Sequence, residues 1–361
     1  MAKRKQRRDE FQDISSYSSK QAYKKNQKKK KRMGLKVFLS FICVILVLVG
    51  GVMIYASTVL LGDLKTTTIT KDKTELGISE ETKSEAGITN IALFGVDARD
   101  YDGGTFAGRS DAIMVMSIDN VHHKVKLTSI MRDVRVYMGD GSPYDSGYDK
   151  LNHAYMYGGP EQAIRAINQN FGLDIQDYVT VNFSAMAKIV DAFGGVNIDL
   201  TEEEVEQVNI NMRDLAATSP DSMAGDVSTY APLSAGEGVL LNGDEAVAYG
   251  RIRAIGNDNG RVERQQEVLS ALLSKASSIS KLEYPSIIQQ LAPLCETSLT
   301  FDKMIGQAQI ALTGFDIERL SIPSDVEGYA SDYCEGGGWM WTYDTDVAAQ
   351  HIHEFIYEDE N

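Results

Sequence analysis

Between Val37 and Leu61 the chain runs for 25 positions without a charged side chain. At a rise of about 1.5 Å per residue, a helix of that length crosses a hydrocarbon core of about 30 Å with some tilt. The segments on either side of this run are therefore expected on opposite sides of a bilayer. The 36 residues before it carry 14 Lys and Arg against 3 Asp and Glu, so with −15 for the whole chain the remainder holds −26. Basic flanks stay in the cytoplasm. Residues 1–36 are read as a basic cytoplasmic tail, 37–61 as a single transmembrane helix and 62–361 as extracytoplasmic, anchored in the cell membrane. A cleaved signal peptide would have a shorter apolar region and a small-residue cleavage site, which Ala56-Ser57-Thr58 matches only weakly. The basic run at 28–32 lies close to the span and is read as an orientation and anionic-lipid signal, so no nucleic-acid partner is expected.

Residues 62–88 are rich in Thr, Lys, Glu and Ser and read as an extracytoplasmic stalk, with the folded domain at 89–361. Short β-branched or apolar runs at 91–96, 112–118, 125–130, 178–182, 196–200 and 317–322 predict strands. Helical spacing after Gly158-Gly159-Pro160, and at 184–193, 242–251, 261–280, 283–297, 301–313 and 346–357, predicts helices. Residues 202–233 are acidic and weakly periodic and read as a surface excursion over a cleft. Strands alternating with helices give an α/β fold class: a layered α/β/α domain with a central mixed β-sheet, preceded by the membrane helix.

Three strand ends carry charge of both signs: Asp97 closes one run, Arg109 and Asp111 open the next, and Arg132 and Asp133 come after the third. A carboxylate can hold a divalent cation and a guanidinium fork matches phosphate oxygens, so such an edge suits phosphoryl chemistry. Of the 11 arginines after the span, eight fall in three short stretches, at 99 and 109, 132 and 135, and 251 to 264. In so acidic a body this clustering points to anion binding, with paired structural arginines as the competing account. Asp97 and Asp111 are candidate Mg2+ ligands, since magnesium uses one or two carboxylates and leaves other positions to water and phosphates. Asp133 could orient Arg132 or accept a proton. Lys150 and Asn152 sit in a loop before a helix and offer a cation and an amide. Asp258-Asn259-Gly260-Arg261, with Arg264 and Gln265 just beyond, makes a candidate phosphate turn. The five histidines show no ligand motif and no CxxC is present, so transition metals are not expected. A disulfide between Cys295 and Cys334 is left open.

With these stretches in view, the sequence resembles the LytR-CpsA-Psr family of cell-wall glycopolymer ligases. The matching segments are 90–99, 108–111, 129–133, 150–155, 194–196, 241–243 and 251–266. The resemblance implies an extracytoplasmic phosphotransferase that moves a glycopolymer, such as teichoic acid or capsule, from a polyprenyl-pyrophosphate carrier to a peptidoglycan hydroxyl. It implies Mg2+ on Asp97 and Asp111, a pyrophosphate clamp of Arg109, Arg132, Arg251, Arg253 and Arg261 assisted by Gln265, and a long apolar lipid pocket. Arg264, Lys150 and Asn152 join the clamp from the reading of their own segments, and Arg132, Arg109 and Asp133 are the catalytic candidates. The chain departs from the family pattern at Met131, commonly Pro, and Val134, commonly Thr, which puts the position of the Arg132 loop in question. A non-catalytic lipid or polysaccharide binder and a pyrophosphate hydrolase are the competing functions.

Overall fold

Strand and helix alternation produces a mixed sheet with helices on both faces. The computed structural model describes residues 65–96, 106, 108–218, 233–278, 290–300, 303–304, 306–307, 315–333, 335 and 338–357. The membrane run at 37–61, Asp97, Arg99 and Cys334 lie outside them. Among the described residues no helix is long and apolar enough to cross a membrane.

The strands are β1 (Lys65–Thr66), β2 (Ile88–Val96), β3 (Ser110–Asp119), β4 (Lys124–Ile130), β5 (Arg135–Tyr137), β6 (Tyr148–Lys150), β7 (Asp177–Asn182), β8 (Val196–Leu200), β9 (Gly236–Leu241), β10 (Glu296–Thr297), β11 (Asp316–Ile322), β12 (Ala330–Tyr333) and β13 (Trp339–Thr342). Seven form the main sheet in the order β1-β10-β7-β2-β3-β4-β11, and three two-stranded sheets, β5-β6, β8-β9 and β12-β13, stand apart from it. The sheet is mixed: β2 runs parallel to β7 and antiparallel to β3, while β4 pairs in parallel with β11. The helices are α1 (Leu151–Phe171), α2 (Phe183–Ala192), α3 (Glu202–Thr218), α4 (Gly243–Gly250), α5 (Asn257–Ser278) and α6 (Thr345–Tyr357).

Alternation along β2 places its side chains on two faces. Ala92, Phe94 and Val96 join Ile164 and Ile167 of α1 and Ile352 and Ile356 of α6 in one buried cluster. Ile91 joins Leu127 of β4 and the partly buried Leu269 and Leu273 of α5 on the other. The expected α/β/α layering is the result. Each such Ile, Leu or Phe contributes roughly 1.5–3 kcal/mol by leaving water.

Several local expectations change. The helix begins earlier than Pro160: Leu151–Tyr157 is already helical, and Gly158 and Gly159 (φ +64°, ψ −157°) break it before the proline, which lacks the N–H a continuous helix would use. Lys150 is therefore the residue before a helix, with Asn152 and His153 in its first turn. The 62–88 stretch does not stand clear of the domain from Lys65 onward: β1 joins the main sheet, and Ile69, Leu76 and Ile78 are buried in the same cluster as Phe94. Three apolar residues so widely spaced were too sparse to read as core. Residues 202–218 form a helix started by a capping box, in which Thr201 Oγ1 accepts from the Glu204 N–H (3.3 Å) and Glu204 accepts from the Thr201 N–H (3.1 Å). The helix read over 283–297 ends in strand β10, because Glu296 and Thr297 pair with Thr180 and Val179 at the sheet edge.

Candidate active site

Four segments converge on a polar pocket of about 370 Å3. Arg109 and Asp111 come from the start of β3, Arg132 and Asp133 from the end of β4, Lys150, Asn152 and His153 from the junction of β6 with α1, and Trp339 from β13. The local reasons differ. At β3 the register shifts, so that Val96 pairs with Ser110 and Gly95 with Ala112, leaving Asp111 as the extra residue of a β-bulge. Bulges of this kind re-aim a side chain at a sheet end. Gly95 permits the close pass, since a Cβ there would lie 3.0 Å from the Ala112 Cβ. The turn after β4 is tied on three sides. The Met131 N–H donates to Ile322 O (2.9 Å), the Asn152 N–H to Arg132 O (2.9 Å) and the Trp341 N–H to Asp133 O (2.9 Å). Met131 and Val134, both buried, are thus accommodated without releasing the loop; Met131 supplies an N–H that proline would lack.

Charge holds the pocket together. Arg132 donates from Nη1 to Asp111 Oδ1 (2.5 Å) and from Nε to Asp133 Oδ2 (2.9 Å), while Lys150 Nζ donates to Asp133 Oδ1 (3.2 Å). Burial would push the Asp133 carboxyl up, but Arg132 and Lys150 outweigh it and hold it below the usual carboxylate range. Both oxygens of Asp133 are engaged and its basicity is reduced, so the geometry favours orienting Arg132 over accepting a proton. Burial opposes the charge on Arg132, yet Asp111 and Asp133 keep its pKa above the ordinary arginine value. Arg109 lines the same pocket and is exposed. Sequence reasoning gave two residues here no role. His153 lies in the matching segment 150–155 but has no metal-ligand motif, and Trp339 lies beyond the matching segments; only the folded chain brings them to Arg132.

The C-terminal arginines expected in the clamp, Arg251, Arg253, Arg261 and Arg264, are not among the residues that line the polar pocket. Arg251 stacks its guanidinium 5.1 Å from the Phe183 ring centroid, and Arg253 is exposed. Arg261 is buried, with 3% of its surface accessible. Arg264 departs from the expected clamp: it is buried, donates to Glu204 Oε1 (3.0 Å) and Ile255 O (2.9 Å), and so fastens α3 to α5. Gln265 donates to Gly250 O (3.3 Å). The Leu241-Asn242-Gly243 segment starts α4, where Asn242 and Glu245 form a capping box and a Cβ on Gly243 would fall 2.0 Å from Ala187 O. That tight seat fixes the helix whose end carries Arg251.

A second cavity, of about 350 Å3, is almost wholly apolar. Leu93, Met114, Val181, Phe183, Met186, Leu269, Leu272 and Cys295 are among its walls, and Gln265 and Asn182 are its polar members. Asp111 lines the polar pocket and the next residue, Ala112, lines the apolar one. Cys295 is a free thiol, and Cys334, the partner considered for it, lies outside the described residues. Burial pushes this thiol up to about 11. In a chain with Cys43 and Cys334 replaced by serine, maleimide labelling at pH 8 is expected to be at least tenfold slower than for an exposed cysteine, because the thiolate is the reactive form; labelling at the exposed rate would contradict the burial.

The hard carboxylate of Asp111 among cationic side chains suits a metal shared with phosphate rather than a closed protein cage. Among the described residues no group of three His, Cys, Asp or Glu side chains is placed to hold a metal by itself.

The profile of the LytR_cpsA_psr family matches residues 53–355. The polyisoprenyl-teichoic acid–peptidoglycan teichoic acid transferase TagU of Bacillus mycoides (strain KBAB4) is 29% identical over 287 residues, covering 78% of this chain and 82% of that protein. TagT of Bacillus subtilis (strain 168), a transferase of the same description, is 26% identical over 313 residues, covering 83% and 91%. The crystal structure of B. subtilis TagT superposes with a TM-score of 0.58 at 21% identity, over 80% of this chain and 99% of that one. A structure of TagT with bound octaprenyl pyrophosphate lipid gives 0.55 at 20% identity over the same shares. These likenesses show a shared fold, and the family match spans most of the sequence including both cavities: the chain belongs to the LytR_cpsA_psr family.

Proposed function

We propose that the protein is a membrane-anchored, extracytoplasmic phosphotransferase that moves a glycopolymer from a polyprenyl-pyrophosphate carrier to a peptidoglycan hydroxyl, forming a phosphodiester. The observation that carries this reading is on β3, where consecutive residues, Ala112 and Asp111, line an apolar cavity and a cationic pocket. A polyprenyl pyrophosphate has that composition, an apolar chain ending in a multiply charged head. The Bacillus relatives TagU and TagT are teichoic acid transferases that bear the same polyisoprenyl and peptidoglycan description.

In this reading Arg109 and Arg132 hold the phosphate oxygens, Asp133 and Lys150 keep Arg132 in place, and Arg251, Arg253 and Arg261 extend the cationic surround. Preorganised donors stabilise the charge that builds on the bridging and leaving oxygens, with no reorganisation needed at the moment of transfer. Asp111, with Asp97, would hold Mg2+, which would neutralise phosphate charge. The uncharged 37–61 run supplies the anchor, and the basic tail keeps the N-terminus in the cytoplasm.

Purified chain mixed with a polyprenyl-pyrophosphate-linked glycan and peptidoglycan oligomers is expected to yield coupled product when Mg2+ is present and at least tenfold less after chelation. Release of glycan phosphate without coupling would favour pyrophosphate hydrolysis. Retention of the lipid with neither product would favour a binder.

A further inference from the structure

We propose that His153, held by Asp149, takes the proton from the acceptor hydroxyl as that hydroxyl attacks phosphorus. The inference rests on the transfer reading above and assigns its missing base. His153 lines the polar pocket with Arg109, Arg132 and Lys150. Its Nδ1 lies 3.0 Å from Asp149 Oδ2, and the same oxygen accepts from the Tyr157 hydroxyl (2.7 Å). Asp149 is fully buried and its other oxygen accepts from the Lys150 N–H (2.7 Å).

Burial would raise the Asp149 carboxyl, but the bonds from His153, Tyr157 and the Lys150 N–H keep it below the ordinary range, and therefore ionised. An ionised carboxylate at Nδ1 requires the proton on that nitrogen. In the neutral ring the lone pair then belongs to Nε2, the arrangement that makes histidine a general base. The other pocket groups are poorly suited. Arg109, Arg132 and Lys150 are cations, Asp111 is paired with Arg132, and Asp133 has both oxygens engaged. His153 thus faces Asp149 from β6, Tyr157 from its own helix (ring centroids 5.8 Å apart), and the pocket cations and carboxylates from β3, β4 and β6.

The step balances. The acceptor O–H bond breaks and its proton goes to Nε2, while the oxygen pair forms the new O–P bond. The bridging P–O bond of the pyrophosphate breaks and its pair leaves with polyprenyl phosphate, which needs no proton because phosphate is a stable anion. Asp149 offsets the charge of the imidazolium until the proton passes to water.

The test is the pH dependence of kcat in the coupling assay with saturating lipid-linked glycan. The unsubstituted chain is expected to lose rate towards acid pH, where a neutral ring is no longer available as the base. His153→Gln should lower kcat roughly 10²- to 10³-fold with the KM for the lipid donor changed less than about threefold, and should lose the acid limb. Asp149→Asn should lower kcat as well, since an amide no longer dictates the tautomer. In His153→Ala, added imidazole should restore part of the rate, which a merely structural histidine would not show.

Two results would overturn the assignment: a flat profile between about pH 5.5 and 8 for the unsubstituted chain, which involves no variant and hence no folding question, or His153→Gln retaining more than about a tenth of the rate. Absence of coupling by the unsubstituted chain would instead remove the transfer reading on which the assignment rests.

Discussion

Arg132→Ala is expected to abolish coupling. Removing one donor from a preorganised charge-stabilising site costs about 10²- to 10³-fold, and here the loss is compounded because Asp111 and Asp133 both depend on this guanidinium. Their side chains are only 17% and 8% exposed, so without Arg132 two carboxylates remain in a confined pocket, with Lys150 bonded to Asp133. Arg132→Lys should recover little. A lysine ammonium cannot make the Nε and Nη1 contacts together, since those use the fixed fork of the guanidinium.

The acid limb of stability supplies a second readout. The folded pKa of Asp133 is depressed, so its contribution is present above the unfolded value of about 3.9 and is lost as pH falls through the lower folded value. Arg132→Ala should shrink that contribution, giving a smaller difference in melting temperature between neutral and acidic solution. Coupling in Arg132→Ala above about a tenth of the unsubstituted rate would remove Arg132 from the centre of the mechanism.

Filling the apolar cavity is expected to weaken lipid binding. Met186 and Leu272 line it and are at most partly accessible. An indole at either position should displace about three methylenes of a bound polyprenyl chain. At about 0.8 kcal/mol each, the loss of about 2.4 kcal/mol corresponds to roughly fiftyfold weaker lipid binding. The effect should scale with lipid length: Met186→Trp should penalise a long polyprenyl pyrophosphate heavily and a two-isoprene analogue hardly at all. Equal weakening of both, read by titration calorimetry, would mean that the chain lies elsewhere.

The parts of this protein visible in its sequence are those set by short-range periodicity. Short apolar or β-branched runs marked β2, β3, β4 and β7, and helical spacing over 184–193 marked α2, whose cap the structure places at Asn182. Ordered charged motifs marked Arg109, Asp111, Arg132 and Lys150, which the fold gathers into one pocket. Arg264 looked the same in sequence as its neighbours, because an arginine bound to phosphate and one bound to Glu204 have the same local signature. Strands β1 and β10, two residues each, are too short to announce themselves and exist because β7 supplies an edge for β10 and β10 one for β1.

The amino-acid order alone therefore marked the layered α/β architecture and the charged residues that meet in the polar pocket, since strand and helix patterns are read within about 25 residues. Only the tertiary structure decided where the apolar cavity lies, that Asp111 pairs with Arg132, and that His153 and Trp339 share its pocket. Cavity walls have the composition of any core, and a side chain's hydrogen-bond partner far along the chain leaves no trace in local sequence.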